Sequence, residues 1–259
     1  MIKKIFKKLI FFLYILYNQN YYFHVAKSQN NNKENIFIKK LSKIVPNKNF
    51  IEIGFHNTEF NCVGLIEKNF TGTLIDSGRM LNTIIMRIIL FIIGKSNIEV
   101  KDIHVEKKNL KKILKKIKNI GFVSIDIDGN DFWIIKKILD LKLKPNVFIV
   151  EYNPSLLNFP YTVPYDRFFD RFKKHESGLY HGASLIAFHK ILKKNGYSLV
   201  RVIGGLNAVF LDNKLVKKTK LKILNPKEAY NEGKIRNKYY KKNAKQQFDE
   251  IKNLKFVKV

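Results

Sequence analysis

Apolar residues along the chain fall into short runs of strand length, and segments with helical spacing separate these runs. Strands are predicted at 50–53, 73–75, 98–105, 122–126, 147–153, 197–203 and 208–211. Helices are predicted at 36–45, 84–93, 110–117 and 183–194, with a further helix between the fourth and fifth strands. Because strands and helices alternate, the pattern indicates an α/β fold with a mostly parallel sheet. A tight GGLN turn joins the last two strands, which favours an antiparallel C-terminal hairpin.

Acidic and amide side chains stand where the fourth and fifth strands end. Asp126 ends the run FVSID, Asp128 and Asp131 follow it, and Glu151 and Asn153 lie at the end of the run VFIVEYN. The carboxyl ends of parallel strands face the ligand crevice of an open sheet. We therefore expect these five side chains to converge on one site.

The same side chains are candidates for metal binding and for proton transfer. Asp126, Asp128, Glu151 and Asn153 offer hard oxygen donors, which suit magnesium, manganese or calcium better than zinc. A carboxylate can instead act as a general base, and a bound cation can lower the pKa of an acceptor hydroxyl. The alternative is structural: Asp126 would cap the next helix, and Asp128 and Asp131 would favour its first turn through the helix dipole.

The first two strands carry the signs of a nucleotide-type cofactor. Glu52 lies on the first strand, which runs into Gly54, and a glycine turn lets the backbone approach such a ligand. A full G-x-G-x-x-G is absent, because His56 and Thr58 stand where further glycines would be. Asp76 ends the second strand about 20 residues later, where an acidic group can accept hydrogen bonds from ribose hydroxyls. A surface turn at Asp76 is the alternative.

The segment after Asn153 is irregular and rich in proline and aromatic residues, which is typical of a substrate lid or pocket wall. His175 and His181 lie in it and are candidate general bases. Solvated surface histidines are the alternative. Asp126, Asp128 and His181 form the candidate catalytic set.

Five segments carry a family resemblance: FIEIGFHNTEFN, GTLIDSG, SIDIDGNDFWIIKKIL, VFIVEYNPS and GASLIAFHKILKKNGYSLVRVIGGLNAVFL. They are similar to segments of the FkbM-like proteins, a bacterial group with the fold of class I S-adenosylmethionine-dependent methyltransferases. The resemblance covers roughly residues 50–211. It implies a Rossmann-like sheet of seven strands with helices on both faces.

The resemblance also implies roles and an activity. Glu52, Gly54 and His56 would border the amino-acid moiety of S-adenosylmethionine, and Asp76 would hold its ribose. The expected reaction is O-methylation of a sugar or another small hydroxyl acceptor in surface polysaccharide biosynthesis, with magnesium or manganese as a candidate second cofactor.

Three other functions fit parts of the pattern. A D-x-D sequence at a strand end also occurs in glycosyltransferases that hold a nucleotide sugar through manganese, although these usually have larger chains. A phosphatase of the haloacid dehalogenase kind has a similar DxDG sequence, but Asn130 occupies the place of its Thr or Val. A non-catalytic binding module with a methyltransferase fold is the third alternative.

Composition adds limits to these expectations. The formal net charge of +28 would suit nucleic acid or an anionic membrane, yet the lysines are spread over the whole chain and no nucleic-acid motif accompanies them. We therefore expect no specific nucleic-acid partner. The single cysteine, Cys62, excludes an intramolecular disulfide and a multi-cysteine zinc site, and it fits a cytoplasmic setting.

The chain ends differ from its centre. Residues 1–26 are predicted to form a basic amphipathic helix, 27–35 a linker, 36–212 the methyltransferase-like domain and 213–259 a lysine-rich extension without recognisable chemistry. The apolar runs at 9–17 and 84–93 are too short to span a bilayer. Residues 1–23 could therefore lie on an anionic leaflet at the inner face of the membrane, or pack on the domain. The run 84–93 is expected to be a buried helix or to share a membrane-facing patch with the N-terminus.

Overall fold

The computed structural model describes residues 33–78, 80–115, 117 and 119–259. The described residues form two compact units, one within Met1–Ile44 and Lys48–His104, the other made of Val45–Asn47 and Val105–Val259. The predicted N-terminal helix at 1–26 lies outside the described residues, as does most of the linker at 27–35. The predicted division into four parts stays a prediction.

The first unit alternates helices and strands. Its elements are α1 (Lys33–Ile44), β1 (Asn49–Ile53), α2 (Val63–Glu67), β2 (Thr71–Asp76), α3 (Met80–Ile92) and β3 (Ile98–Asp102). The strands β1, β2 and β3 pair in parallel, with Ile53 opposite Ile75 and Asp76 opposite Asp102. A side chain at Gly72 would meet the ring of Phe50 at 2.3 Å, so the close packing of β2 on β1 depends on that glycine.

Helix α3 is buried on one face only. Asn82, Thr83, Met86, Ile89 and Leu90 point into the unit, while Phe91 remains 86% exposed. The prediction of a buried helix therefore holds for the inner face and is wrong for the outer face, and the alternative of a membrane-facing patch stays a prediction. None of the described helices combines the length and the apolar character that crossing a membrane requires.

The second unit contains the longer part of the chain. Its elements are α4 (Leu110–Leu114), β4 (Phe122–Ile125), α5 (Asp131–Asp140), β5 (Val147–Glu151), a 3-10 turn (Pro154–Leu156), β6 (Tyr161–Thr162), α6 (Arg171–Lys174), α7 (Leu185–Lys194), β7 (Tyr197–Ile203), β8 (Asn207–Asp212), α8 (Asn213–Val216), α9 (Pro226–Ala229), α10 (Lys234–Tyr240), α11 (Ala244–Ile251) and β9 (Val257–Lys258). Strands β4 and β5 are parallel, whereas β8 is antiparallel to both β5 and β7.

The strands follow the order β3-β2-β1-β4-β5-β8-β7 in a seven-stranded sheet, and β6 pairs with β9 in a separate two-stranded sheet. Gly204 and Gly205 take positive φ values of 64° and 74° in the turn between β7 and β8, as glycine readily does. The prediction of an α/β fold with a mostly parallel seven-stranded sheet and an antiparallel C-terminal hairpin is confirmed.

The segment after β5 is packed against the C-terminal residues of the chain. Leu156, Val163 and Leu179 are fully buried in one cluster with Ile251 of α11. The pairing of β6 with β9 adds backbone hydrogen bonds between the same two regions. The region predicted as a lid is therefore built on the C-terminal extension, which forms one wall of its core.

Candidate functional site

Three of the predicted side chains come together in the second unit. Asp128, Glu151 and His181 each bring one oxygen or nitrogen atom to within 4.8 Å of the others. Asp128 lies in the loop between β4 and α5, Glu151 ends β5, and His181 lies in the segment before α7. The strand ends thus meet as the sequence pattern predicts, and a histidine far along the chain joins them.

Asp131 shapes the loop that carries Asp128. Its two carboxylate oxygens accept hydrogen bonds of 2.9 Å from the backbone N–H groups of Ile127 and Gly129. Burial raises the pKa of Asp131 to about 6, although these hydrogen bonds act to lower it. A side chain at Gly129 would meet the ring of Phe169 at 2.3 Å, so the loop fits tightly under that ring.

Asp128 stands at the bend of this loop and is paired with an arginine. Its φ of 55° is in the left-handed region, which aspartate tolerates better than most residues. Arg171 of α6 donates a hydrogen bond to the Asp128 carboxylate, and two further hydrogen bonds from its guanidinium reach the Gly178 carbonyl at 2.7 Å and the Tyr240 hydroxyl at 3.1 Å. The N-cap position of α5 is occupied by Asn130, so the alternative that Asp126 caps this helix is wrong.

The carboxyl groups of Asp126 and Glu151 lie close enough to affect each other's pKa. Burial, followed by repulsion from Glu151, Asp128 and Asp131, raises the pKa of Asp126 well above its usual range. Burial and the neighbouring carboxylates raise the pKa of Glu151 to about 8, against the opposing effect of Arg236 and Arg171. The pair therefore holds a proton at neutral pH.

His181 is buried, and its hydrogen bonds determine which tautomer of the neutral ring is present. Its Nε2 lies 3.1 Å from Nη2 of Arg236, and a guanidinium can only donate. Nε2 is thus the acceptor, and the hydrogen of the neutral ring is on Nδ1, which makes no hydrogen bond to any described residue. Burial and the charges of Arg171 and Arg236 keep the pKa of His181 well below its usual value. The alternative of a solvated surface histidine is wrong for His181, which is 1% exposed.

Arg236 connects the site to the C-terminal part of the chain. It is buried on α10, and it donates to the side-chain oxygens of Asn153 and Gln247, each at 3.2 Å. Gln247 of α11 also accepts a 2.7 Å hydrogen bond from the Ser155 hydroxyl. The C-terminal extension, in which the sequence shows no recognisable chemistry, thus supplies a buried charge to the site.

Asn153 is fully engaged in holding this region together. Its amide nitrogen donates to the carbonyls of Leu179 and His181 at 2.8 and 2.9 Å, and its oxygen accepts from Ser155 N and from Arg236. The structure therefore places Asn153 beside the site as a support for the backbone at His181, and outside the group of Asp128, Glu151 and His181.

The spacing of Asp128, Glu151 and His181 would allow a metal ion, but their hydrogen bonds do not suit one. Asp128 is already neutralised by Arg171, and the lone pair of His181 Nε2 is taken by Arg236. A ring nitrogen that carries a hydrogen cannot ligate a cation, and two guanidinium groups would repel it. The predicted set of Asp126, Asp128, Glu151 and Asn153 therefore does not fit magnesium or manganese.

The cofactor candidates lie in the first unit, where Glu52 stabilises the chain after β1. Glu52 is buried, and its two carboxylate oxygens accept hydrogen bonds from the backbone of Asn61 at 2.6 Å and Cys62 at 2.8 Å. His56 accepts and donates backbone hydrogen bonds with Glu59, and its Nδ1 lies 2.8 Å from the Thr58 hydroxyl. A short closed turn thus stands where a glycine-rich loop would lie, as the absence of the further glycines predicts.

Gly54 and Asp76 are adjacent at the carboxyl ends of β1 and β2. Gly54 has a φ of 87°, and its N–H donates to the Ile75 carbonyl at 2.8 Å. Asn82 of α3 donates to the Asp76 carboxylate and to the Phe55 carbonyl, both at 3.0 Å. Its side-chain oxygen accepts a 2.7 Å hydrogen bond from Asn57 N, so Asn82 ties the turn after β1 to the end of β2.

Sequence reasoning did not identify Arg171, Arg236 and Asn82. The chain has 49 lysines and arginines, so no single arginine stands out, and Arg171 and Arg236 reach the site only through packing of irregular segments. The amide of Asn82 lies at a helix position with no motif around it.

Comparison with known proteins gives a structural likeness only. The chain matches no protein-family model and no curated protein sequence. It is similar to the O-methyltransferase from Bacillus cereus in complex with SAH, with 14% identity, a TM-score of 0.48, and 79% of this chain and 89% of that chain covered. The SAH-bound Podospora anserina methyltransferase PaMTH1 has 10% identity and a TM-score of 0.48, with 68% and 76% covered.

A SAM-dependent methyltransferase from Geobacter sulfurreducens in complex with S-adenosyl-L-homocysteine is also similar, with 14% identity, a TM-score of 0.41, and 70% and 72% of the two chains covered. At these identities and TM-scores the likeness carries no argument about function. The FkbM-like resemblance stays a prediction, and the chemistry has to be argued from the side chains.

Proposed function

We propose that this protein is an S-adenosylmethionine-dependent O-methyltransferase that acts on a small hydroxyl-bearing acceptor. The observation that carries the proposal is the half-buried pair of Asp126 and Glu151 at the ends of two adjacent parallel strands. A carboxyl group whose pKa lies near neutrality is suited to accept a proton from a hydroxyl group, because it is both available and a stronger base than an ordinary carboxylate.

The acceptor side uses groups of the second unit. The Asp126 and Glu151 pair would take the proton of the acceptor hydroxyl, and its pKa suits turnover at neutral to slightly alkaline pH. Asp128 and Arg171 would orient the acceptor through their remaining hydrogen-bonding capacity. The Nδ1–H of His181 has no partner among the described residues, so it would donate a hydrogen bond to the acceptor, from a neutral ring that keeps its proton.

The first unit offers groups that fit the cofactor. Asp76 presents a carboxylate at the end of β2, which suits ribose hydroxyls, and the left-handed conformation at Gly54 lets the backbone come close to a ligand. Bound S-adenosylmethionine would supply the methyl group. Glu52 would act by holding the backbone at Asn61 and Cys62, and His56 would border the ligand through the closed turn.

A sugar hydroxyl is the acceptor class that the FkbM-like resemblance implies, and a cytoplasmic enzyme of surface polysaccharide synthesis is the setting we propose. The D-x-D glycosyltransferase alternative is disfavoured, because Asp128 is neutralised by Arg171 and the donor set does not fit a metal ion.

Calorimetric titration tests the proposal. The full chain would be titrated with S-adenosylmethionine, with S-adenosylhomocysteine, and with a UDP-sugar in the presence and absence of manganese. We expect micromolar binding of the first two ligands and no effect of the metal. Binding of the UDP-sugar alone, with manganese required, would show a glycosyltransferase, and binding of none of them would favour a non-catalytic module.

A further inference from the structure

Helix α3 carries a continuous face of exposed apolar side chains. These side chains, the α3 apolar face, are Met80, Leu81, Ile84, Ile88, Phe91 and Ile92. At the helical repeat they fall within an arc of roughly 120°, along the whole length of the helix. Phe91 and Met80 are 86% and 67% exposed, so the face lies open at both ends. An exposed apolar patch of this length marks an interaction surface.

The orientation of the helix is fixed from the other side. Asn82 hydrogen-bonds to Phe55 and Asp76, and Met86, Ile89 and Leu90 are buried in the core of the unit. The helix therefore cannot turn its apolar face inward without breaking these contacts. Within the part of the chain that the structure describes, these side chains are exposed to solvent until another surface covers them.

The positive charge of this helix and of the whole chain indicates which kind of surface the α3 apolar face would bind. Helix α3 contains no acidic residue, and Arg87 is exposed beside the apolar face, with a 2.9 Å hydrogen bond to the Val100 carbonyl. The whole chain has a net charge of +28. A second copy would carry the same positive net charge and repel the first, and residues 1–23 of this chain are basic as well. An anionic lipid surface offers both the apolar depth and the opposite charge.

We propose that the α3 apolar face docks on an anionic membrane surface, with the helix lying along the plane of the bilayer. The 13 residues of α3 extend about 20 Å, which is short of the hydrocarbon thickness of a bilayer, so the helix would rest in the headgroup region. The inference does not rest on methyltransferase activity, and it places the membrane contact on the folded unit as well as on the predicted N-terminal helix.

Vesicle co-sedimentation of the full chain tests the docking. The double variant Ile88→Ser/Phe91→Ser removes two residues of the α3 apolar face. The control Phe168→Ser/Ile223→Ser removes a phenylalanine and an isoleucine of the second unit that are 72% and 57% exposed, against 86% for Phe91 and 46% for Ile88. On vesicles of phosphatidylcholine and phosphatidylglycerol, we expect the α3 variant to bind at least ~10-fold more weakly than the wild type, because two apolar side chains no longer enter the lipid. The control variant should bind like the wild type.

Equal binding of the two variants, or an equal loss in both, would overturn the proposal and leave only the general positive charge. A fluorophore that reports polarity, attached at Phe91→Cys, separates the other occupants. We expect polar emission in solution and a blue shift only with anionic vesicles. Blue-shifted emission without lipid would show that the chain itself or a second copy covers the face, and sedimentation velocity would then distinguish a monomer from a dimer.

Discussion

Arg236 donates a hydrogen bond from Nη2 to Nε2 of His181, 3.1 Å away, and this contact determines which ring nitrogen of the buried histidine carries the hydrogen. The two residues are far apart in the sequence, and both are buried. Because Arg236 also holds Asn153 and Gln247, the state of the histidine depends on how the C-terminal helices pack on the unit.

The first prediction concerns this tautomer. Nitrogen-15 chemical shifts of His181 should show hydrogen on Nδ1 and a neutral ring throughout the range from pH 6 to 8, because burial and two arginines lower its pKa. In Arg236→Met the Nε2 acceptor loses its donor, so the other tautomer should appear and the pKa should rise toward its usual value. Lys238→Met, an exposed change on the same helix, is the control and should leave the shifts unchanged.

Hydrogen on Nε2 in the wild type would contradict the proposed contact, and it would reopen the question of a metal ion at the site. Since the measurement reports a ring nitrogen directly, it gives a result whether or not the protein transfers methyl groups.

The second prediction concerns stability and pH. Glu151 has a pKa of about 8 in the folded protein and an ordinary, lower value in the unfolded chain. The folded state therefore binds more protons between pH 5 and 8, and the free energy of unfolding should fall as pH rises through that window. In Glu151→Gln this contribution is absent. The free energy of unfolding of the variant, minus that of the wild type, should therefore rise by about 2 kcal/mol from pH 5 to pH 8.5. This value allows for solvent screening of the partly exposed carboxyl group.

Urea unfolding at several pH values measures this difference. Taking the difference between variant and wild type removes the opposite contribution of His181, whose lowered pKa stabilises the fold as pH rises. Glu228→Gln, an exposed change in the C-terminal region, should follow the wild-type pH dependence. A constant difference between Glu151→Gln and the wild type across this range would show that Glu151 titrates normally.

The meeting of Asp128 and Glu151 could be predicted from sequence, because strand–helix alternation forces parallel pairing and parallel strands end at the same edge. The positive charges that lie beside these two carboxylates could not be predicted. Arg171 and Arg236 lie on α6 and α10, outside the alternating strands and helices of the sheet, so no repeating pattern in the sequence predicts where they pack. The sequence also did not predict which face of α3 is buried, because an apolar run of ten residues has apolar side chains on every face.

The sequence also could not show which carboxylates have a structural role. Glu52 and Asp131 stand in motifs that suggest ligand binding, yet each accepts two backbone hydrogen bonds from the chain itself. A pattern gives the position of a carboxylate along a strand or loop. Only the folded backbone shows whether nearby N–H groups already occupy its oxygens.

The third prediction separates the two sides of the proposed reaction. Asp76→Ala should weaken S-adenosylmethionine binding by about 10-fold or more, because the ribose hydroxyls lose a charged acceptor. Asp128→Ala should leave cofactor affinity within about twofold and lower turnover at least ~100-fold, since it removes a carboxylate from the acceptor side and takes away the ion-pair partner of Arg171. Calorimetry for binding and a methyl-transfer assay for turnover measure the two effects.

Asp140→Ala is the matched control for both, because Asp140 is exposed at the end of α5 and pairs only weakly with Lys136. If Asp76→Ala and Asp128→Ala change cofactor affinity to the same extent, the assignment of one residue to each side is wrong.

The fourth prediction tests the structural role of Glu52. In Glu52→Gln one side-chain oxygen is replaced by an amide group that cannot accept, so either Asn61 N or Cys62 N loses its partner inside the first unit. An unsatisfied buried donor costs about 1–3 kcal/mol, and the melting temperature should fall accordingly. Glu67→Gln, which removes a surface ion pair with Lys39, should change stability by less than ~1 kcal/mol. Unchanged stability of Glu52→Gln together with reduced cofactor affinity would instead mean that Glu52 contacts the ligand, as the family resemblance implies.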